Sequence, residues 1–187
     1  MSEHSLLSPS AYGAPRRSFP LRNRMFRLGF MICWALMARW TPPMARSWRI
    51  WLLNRFGARV HARANVYASA RIWYPPHLVM REGATLGPGV VCYCMDRIEI
   101  GRDAVVSQRA FLCAGSHDVD DPDFPIRTAP IVIGAAAWIA AEAFVGPGVS
   151  VGLGAVLGAR GVAMKSLDDW TIYAGNPARA IRTRIRS

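Results

Sequence analysis

The chain has 187 residues, of which 52% are apolar and 19% charged. That is enough for one domain with a sizeable core and too apolar for a disordered or low-complexity protein. The net charge of +11 is unevenly spread: residues 1–57 hold nine Arg against Glu3 alone, while residues 58–187 hold fourteen bases and eleven acids.

In chain order, residues 1–57 form a basic, Trp-rich tail followed by a helical segment. The longest apolar run, Leu28–Ala38, falls short of the roughly 18–20 residues of a membrane span. Thr41-Pro42-Pro43 follows it rather than a small-residue cleavage site, so a secretory signal fits poorly. Residues 26–56 place Trp34, Trp40, Trp48 and Trp51 among many Arg. Two readings stand: one or two helices packed on the main domain, or a basic aromatic segment lying peripherally on an anionic membrane surface, at its inner face. The charge comes with no nucleic-acid-binding motif, so nucleic acid is not an expected partner. Cys33, Cys92, Cys94 and Cys113 do not make a disulfide framework in a chain this long; free thiols and a cytoplasmic location are expected.

From residue 58 onward the sequence repeats with a period of six. Val60, Val66, Ile72 and Leu78 are so spaced, as are Met80, Leu86, Cys92 and Ile98, then Ile100, Val106 and Leu112, and finally Ile133, Ile139, Val145, Val151, Leu157 and Ala163. Fourteen of these 17 positions are Val, Ile or Leu, types that supply 39 of the 187 residues. Chance would place about three or four there, so the period is real. Six suits neither a helix nor an alternating strand. It suits a solenoid with three flat sides per coil, one aliphatic residue per side pointing inward and coils stacked through main-chain hydrogen bonds. Glycine often follows the aliphatic residue, as at Gly87, Gly101, Gly134, Gly146, Gly152 and Gly158, and small or β-branched residues such as Ala84, Val90, Ala104 and Ala110 hold the fifth position. Both suit tight corners. The two-residue skips at Leu78/Met80 and Ile98/Ile100 are taken as extra residues at corners.

The ladder breaks between Leu112 and Ile133. Loop 117–130, His-Asp-Val-Asp-Asp-Pro-Asp-Phe-Pro-Ile-Arg-Thr-Ala-Pro, is a polar excursion of the kind that carries function. His117 stands at its root. A neutral imidazole there is suited to take a proton from a hydroxyl near neutral pH, although a loop histidine bonded to backbone is the plain alternative. Asp118 either orients that ring or caps the loop. If the coil spacing continues, Asp96 lies under Ser116 and Arg97 under His117, where either lines an acceptor site or the pair is solvated.

The hexapeptide period over about residues 57–180 resembles that of the hexapeptide-repeat acyltransferases, whose fold is a left-handed parallel β-helix. The stretch Leu112-Cys113-Ala114-Gly115-Ser116-His117-Asp118, with Asp121-Pro122 and Pro130-Ile131-Val132-Ile133-Gly134, resembles the catalytic region of sugar O-acetyltransferases. The nearest group is the colanic-acid or exopolysaccharide type, with galactoside and maltose acetyltransferases more distant. The run Ala174-Gly175-Asn176-Pro177-Ala178-Arg179 is similar to their exit strand. The resemblance implies a mainly β fold with a short N-terminal helical segment and an inserted loop. It implies acetyl-CoA as donor, a saccharide acceptor, His117 as general base, no metal, and a homotrimer with the active site between subunits. The acceptor-side candidates are Asp96 and Arg97, placed by the coil spacing, with Ser116 and Asp118 at the root of the loop. Trp138, Ala141 and Ala159 would line the pantetheine groove, and Lys165 and Arg179 would meet the CoA phosphates, as Arg and Lys suit polyanions. Two departures stand out: no asparagine occupies Leu86–Ile98, where galactoside-type enzymes use one for the acceptor, and Met164 replaces the usual Thr before the lysine.

Other readings weigh less. A γ-type carbonic anhydrase needs converging histidines, and after His77 only His117 remains. A zinc or redox site at Cys92, Cys94, Cys113 and His117 would have to use Cys92, which sits at an inward ladder position where a free Cys acts as a small apolar residue. A non-catalytic scaffold and acyl transfer to a non-sugar acceptor remain as alternatives.

Overall fold

The computed structural model describes residues 19–185. The sequence features at residues 1–18, including Glu3 and His4, and at Arg186 lie outside the described residues. Two helices precede the solenoid, α1 (Leu21–Met37) and α2 (Arg46–Arg55). Nineteen short strands follow, from β1 (Arg59–Val60) to β19 (Arg179–Thr183). Seventeen of them sort into three sheets: β1, β4 (Leu78–Met80), β7 (Ile98–Ile100), β12 (Ile131–Ile133) and β15 (Ser150–Val151); β2 (Asn65–Val66), β5 (Thr85–Leu86), β8 (Val105–Val106), β13 (Trp138–Ile139), β16 (Val156–Leu157), β18 (Thr171–Ala174) and β19; and β3 (Arg71–Ile72), β6 (Val91–Tyr93), β9 (Phe111–Cys113), β14 (Phe144–Val145) and β17 (Val162–Ala163). Pairing is parallel except where β10 (Gly115–His117) meets β11 (Ile126–Thr128) and where β18 (Thr171–Ala174) meets β19. This is a three-sided parallel β-helix, and we call the faces A, B and C in that order.

The period-six residues fill it. All 17 ladder positions from Val60 to Ala163 are buried, most of them completely. The fifth-position residues, Ala84 and Val90 among them, are buried as well. Glycines after the aliphatic position serve a different purpose from a left-handed turn. At Gly134 an added Cβ would fall 2.7 Å from the Gly152 carbonyl carbon, so successive coils approach too closely there for any side chain.

The two-residue skips correct one expectation. They lie within strands and not at corners. Leu78 and Met80 both point inward from β4 (Leu78–Met80), and Ile98 and Ile100 from β7 (Ile98–Ile100). Two residues apart on a strand share a side, so face A carries a second inward column there. Ile131 and Ile133 on β12 (Ile131–Ile133) continue it.

One face of α1 packs on the first coil. Phe26 meets the rings of Phe56 and Tyr74 edge-on, and the Trp34 indole N–H donates to the Ala68 carbonyl at 3.3 Å. The Arg27 guanidinium lies 4.2 Å over the Trp73 ring. Arg49 on α2 is only 1% exposed. Its side chain donates to the carbonyls of Val66, Pro42 and Pro43 and to the Thr41 hydroxyl at 2.7–2.9 Å, which ties the helical segment to the second strand of the solenoid. Burial lowers its pKa from the usual Arg value. No helix among the described residues is long and apolar enough to cross a membrane.

Candidate active site

The excursion starts where β9 (Phe111–Cys113) ends, at the edge between faces C and A. The coil register of twenty residues holds through Cys113, which pairs with Tyr93, and through Ala114, whose N–H donates to the Tyr93 carbonyl. At Gly115 the Cβ position lies close to the Met95 sulfur, so a side chain there would require Met95 to shift. Beyond it the chain leaves the solenoid as a β10–β11 ribbon that pairs Ser116 with Arg127 and His117 with Ile126.

His117 is exposed on this ribbon, and its orientation is fixed. Its Nδ1 lies 2.8 Å from the Phe124 carbonyl oxygen. A carbonyl can only accept, so Nδ1 carries a proton, and in the neutral ring Nε2 then keeps its lone pair. The Phe124 ring stacks on the imidazole at 4.4 Å with the planes 11° apart. Phe124 itself adopts φ +46°, in a turn where its N–H donates to Asp121. A neutral ring held by a fixed acceptor, with the second nitrogen directed elsewhere, is competent to remove a proton from a hydroxyl.

Asp118 does not orient the ring. It accepts from the Arg127 guanidinium at 3.2 Å and from the Asp120 N–H at 3.3 Å, closing the loop. The sequence expectation of Arg97 directly under His117 is also displaced. The loop's departure means that the next coil above Arg97 begins at Ile131, whose N–H donates to the Arg97 carbonyl at 2.9 Å. The Arg97 guanidinium reaches Glu99 at 2.5 Å, and the Asp96 carboxylate accepts from the Arg97 N–H at 2.6 Å. Both residues stay at the foot of the loop, next to Met95 and Gly115.

The donor-side candidates fall on two edges. Lys165 and Arg179 come together in a cleft of about 350 Å³ between β17 (Val162–Ala163) and the exit strand β19, with Ser166, Tyr173 and Ala180 on its walls. Lys165 shares the C–A edge with the His117 loop. Gly146 sits against Met164 on that edge, and Gly148 against Ala129 at the loop's return. Two coil steps of about 4.8 Å therefore separate the root of the loop from Met164-Lys165. Ala141 and the exposed Ala159 lie one coil apart on the edge between faces B and C, where the Ala141 carbonyl accepts from the Arg160 N–H. Trp138 is on face B, its indole donating to the Ser107 hydroxyl at 2.8 Å.

Sequence reasoning missed Phe124 as the partner of His117. Its one signal was an aromatic residue among the loop aspartates Asp118, Asp120, Asp121 and Asp123. Among the described residues no three His, Cys, Asp or Glu side chains are grouped to hold a metal ion.

This architecture is that of the left-handed β-helix acetyltransferases built from hexapeptide repeats. The maltose O-acetyltransferase from Clostridium difficile 630 superposes with a TM-score of 0.79 over 89% of this chain and 90% of its own, at 21% identity. A hexapeptide-repeat acetyltransferase from Vibrio cholerae O1, in complex with acetyl-CoA, gives 0.77 over 87% and 89% at 21% identity. No protein-family model matches the sequence. An Escherichia coli K12 protein named, provisionally, as the colanic acid biosynthesis acetyltransferase WcaF is 40% identical over 157 residues, covering 82% of this chain and 86% of its own length. The chain belongs to the family of this colanic acid biosynthesis acetyltransferase and is an acetyltransferase.

Proposed function

We propose that the protein transfers an acetyl group from acetyl-CoA to a hydroxyl of a saccharide, a free or lipid-linked precursor of an exopolysaccharide, on the cytoplasmic side of the membrane. His117 Nε2 takes the proton of the acceptor hydroxyl as its oxygen attacks the thioester carbonyl. The tetrahedral intermediate collapses with cleavage of the carbon–sulfur bond, and the departing CoA sulfur receives the proton from the imidazolium. The observation that carries this reading is the bond from His117 Nδ1–H to the Phe124 carbonyl, which leaves Nε2 as the base. The name of the Escherichia coli relative and the acetyl-CoA in the Vibrio structure support the acceptor and donor classes.

Lys165 and Arg179 in their shared cleft are suited to the CoA phosphates, with Trp138, Ala141 and Ala159 along the pantetheine arm. Ser116, Asp118, Asp96 and Arg97, around the root of the loop, are the acceptor-side candidates. The donor candidates lie on two different edges of one prism, with Trp138 on face B. A symmetric assembly that sets one copy's C–A edge against the next copy's B–C edge joins them, and a ring of three such contacts gives a homotrimer. The test is acetyl-CoA with a panel of free sugars, nucleotide sugars and polyprenyl-linked oligosaccharides, with the acetylated product detected by mass spectrometry. One acceptor class acetylated by the wild type and not by His117→Ala supports the reading. Equal transfer by both, or none to any saccharide, overturns it.

A further inference from the structure

Helix α1 has two apolar faces, and the fold uses only one. Phe26, Phe30 and Trp34 pack on the first coil. On the opposite side Leu21, Met25, Leu28, Ile32 and Leu36 form a stripe within an arc of about 80°, and every one of them is at least 50% exposed. Such a continuous apolar stripe on a surface calls for a partner.

Its electrostatic setting is one-sided. Arg22 and Arg24 flank the stripe, and Arg39 follows shortly after the end of the helix. From Phe19 to Arg81 the chain has eleven Arg and no Asp or Glu. Beyond the end of α1, Trp40 is 83% exposed, an amphipathic ring of the type that settles at a lipid headgroup boundary. With 17 residues and three Arg in its first two turns, α1 is suited to lie along a bilayer surface and not to cross it. A second copy meeting this surface face to face would set Arg22 and Arg24 against their counterparts, on a segment that carries no acid of its own from Phe19 to Arg81. An anionic bilayer offers hydrocarbon to the stripe and phosphate to the guanidinium groups.

We propose that the outer stripe of α1 docks the protein on an anionic lipid surface, with Leu28 and Ile32 at the centre of the buried strip. This goes beyond acetyl transfer and does not depend on it, since the docking face uses none of the candidate active-site residues.

The experiment is flotation of the full chain with vesicles of phosphatidylcholine alone and of phosphatidylcholine mixed with phosphatidylglycerol. The wild type is expected to float with the anionic vesicles, less so as salt rises, and weakly with the neutral ones. Leu28→Glu/Ile32→Glu is expected to lose roughly tenfold or more in partitioning while its thermal melt and acetyl transfer stay as in the wild type. A second pair, Met25→Glu/Leu36→Glu, repeats the measurement from the two sides of the strip. Wild type that stays out of the anionic vesicles, or glutamate variants that float as well as wild type, overturns the proposal. A wild-type oligomer that falls apart in both glutamate variants, with no vesicle binding, assigns the stripe to a second copy and overturns it as well. Loss of acetyl transfer by His117→Ala with vesicle binding intact keeps the two readings separate.

Discussion

His117→Asn separates the chemistry of the site from its architecture. The Asn amide nitrogen can take the place of Nδ1 and keep the bond to the Phe124 carbonyl, 2.8 Å in the wild type, while nothing replaces Nε2. The bond sits on an exposed ribbon, where one hydrogen bond is worth about 1 kcal/mol, so the melting temperature should move little. A positioned general base contributes about 10²–10⁴-fold, or about 3–5 kcal/mol of barrier. Transfer by the variant should fall by that factor with the KM for acetyl-CoA nearly unchanged. Product is best followed by mass, because Cys33 and Cys113 are partly exposed thiols that would react with a thiol reagent. Activity within tenfold of wild type would refute the assignment of Nε2 as the base.

Four further outcomes follow from other parts of the molecule. Lys165→Ala/Arg179→Ala should raise the KM for acetyl-CoA roughly 10- to 100-fold through lost charge-assisted bonds, and leave acetyl-pantetheine, which lacks the nucleotide phosphates, unaffected as donor. Gly134→Ala sets a methyl 2.7–2.8 Å from the backbone of Gly152 and Leu153; it should cost about 2–3 kcal/mol, seen as a melting point lower by several degrees. Arg49→Met removes the donors to three carbonyls and a hydroxyl; a loss of roughly 3–5 kcal/mol and faster proteolysis near Thr41–Arg55 are expected. Glu99 is partly desolvated, which raises its pKa, but bonds from Arg81 and Arg97 outweigh this and hold it below the ordinary value, while Arg160 and Arg109 hold Glu142 low. A depressed folded-state pKa gives stability that is present above about pH 4.3 and lost as pH falls through the depressed value. The acid limb of a melting-temperature profile should therefore be shallower in Glu99→Gln/Glu142→Gln.

The coil follows from the order of residues alone. One inward aliphatic every six residues is a local rule, because each side of the prism is built from the same few backbone positions and stacks only on its neighbours. That is why the period alone assigns the ladder residues from Val60 to Ala163 to the core. The interruption after Leu112 was legible for the same reason, as a departure from the rule. What the excursion does with its polar groups depends on how the chain folds back on itself. The acceptor for His117 is a backbone carbonyl seven residues on, brought back by a turn at Phe124, and a carbonyl has no side-chain signature. The two-residue skips, read as corners, became a second inward column on face A, because whether an extra pair bends a chain or extends a strand depends on the strands stacked above and below. Arg49 and the two apolar faces of α1 show the same limit. Composition gives the charge and the apolar residues of the segment, but the solenoid it packs against decides which Arg is buried and which stripe stays in solvent.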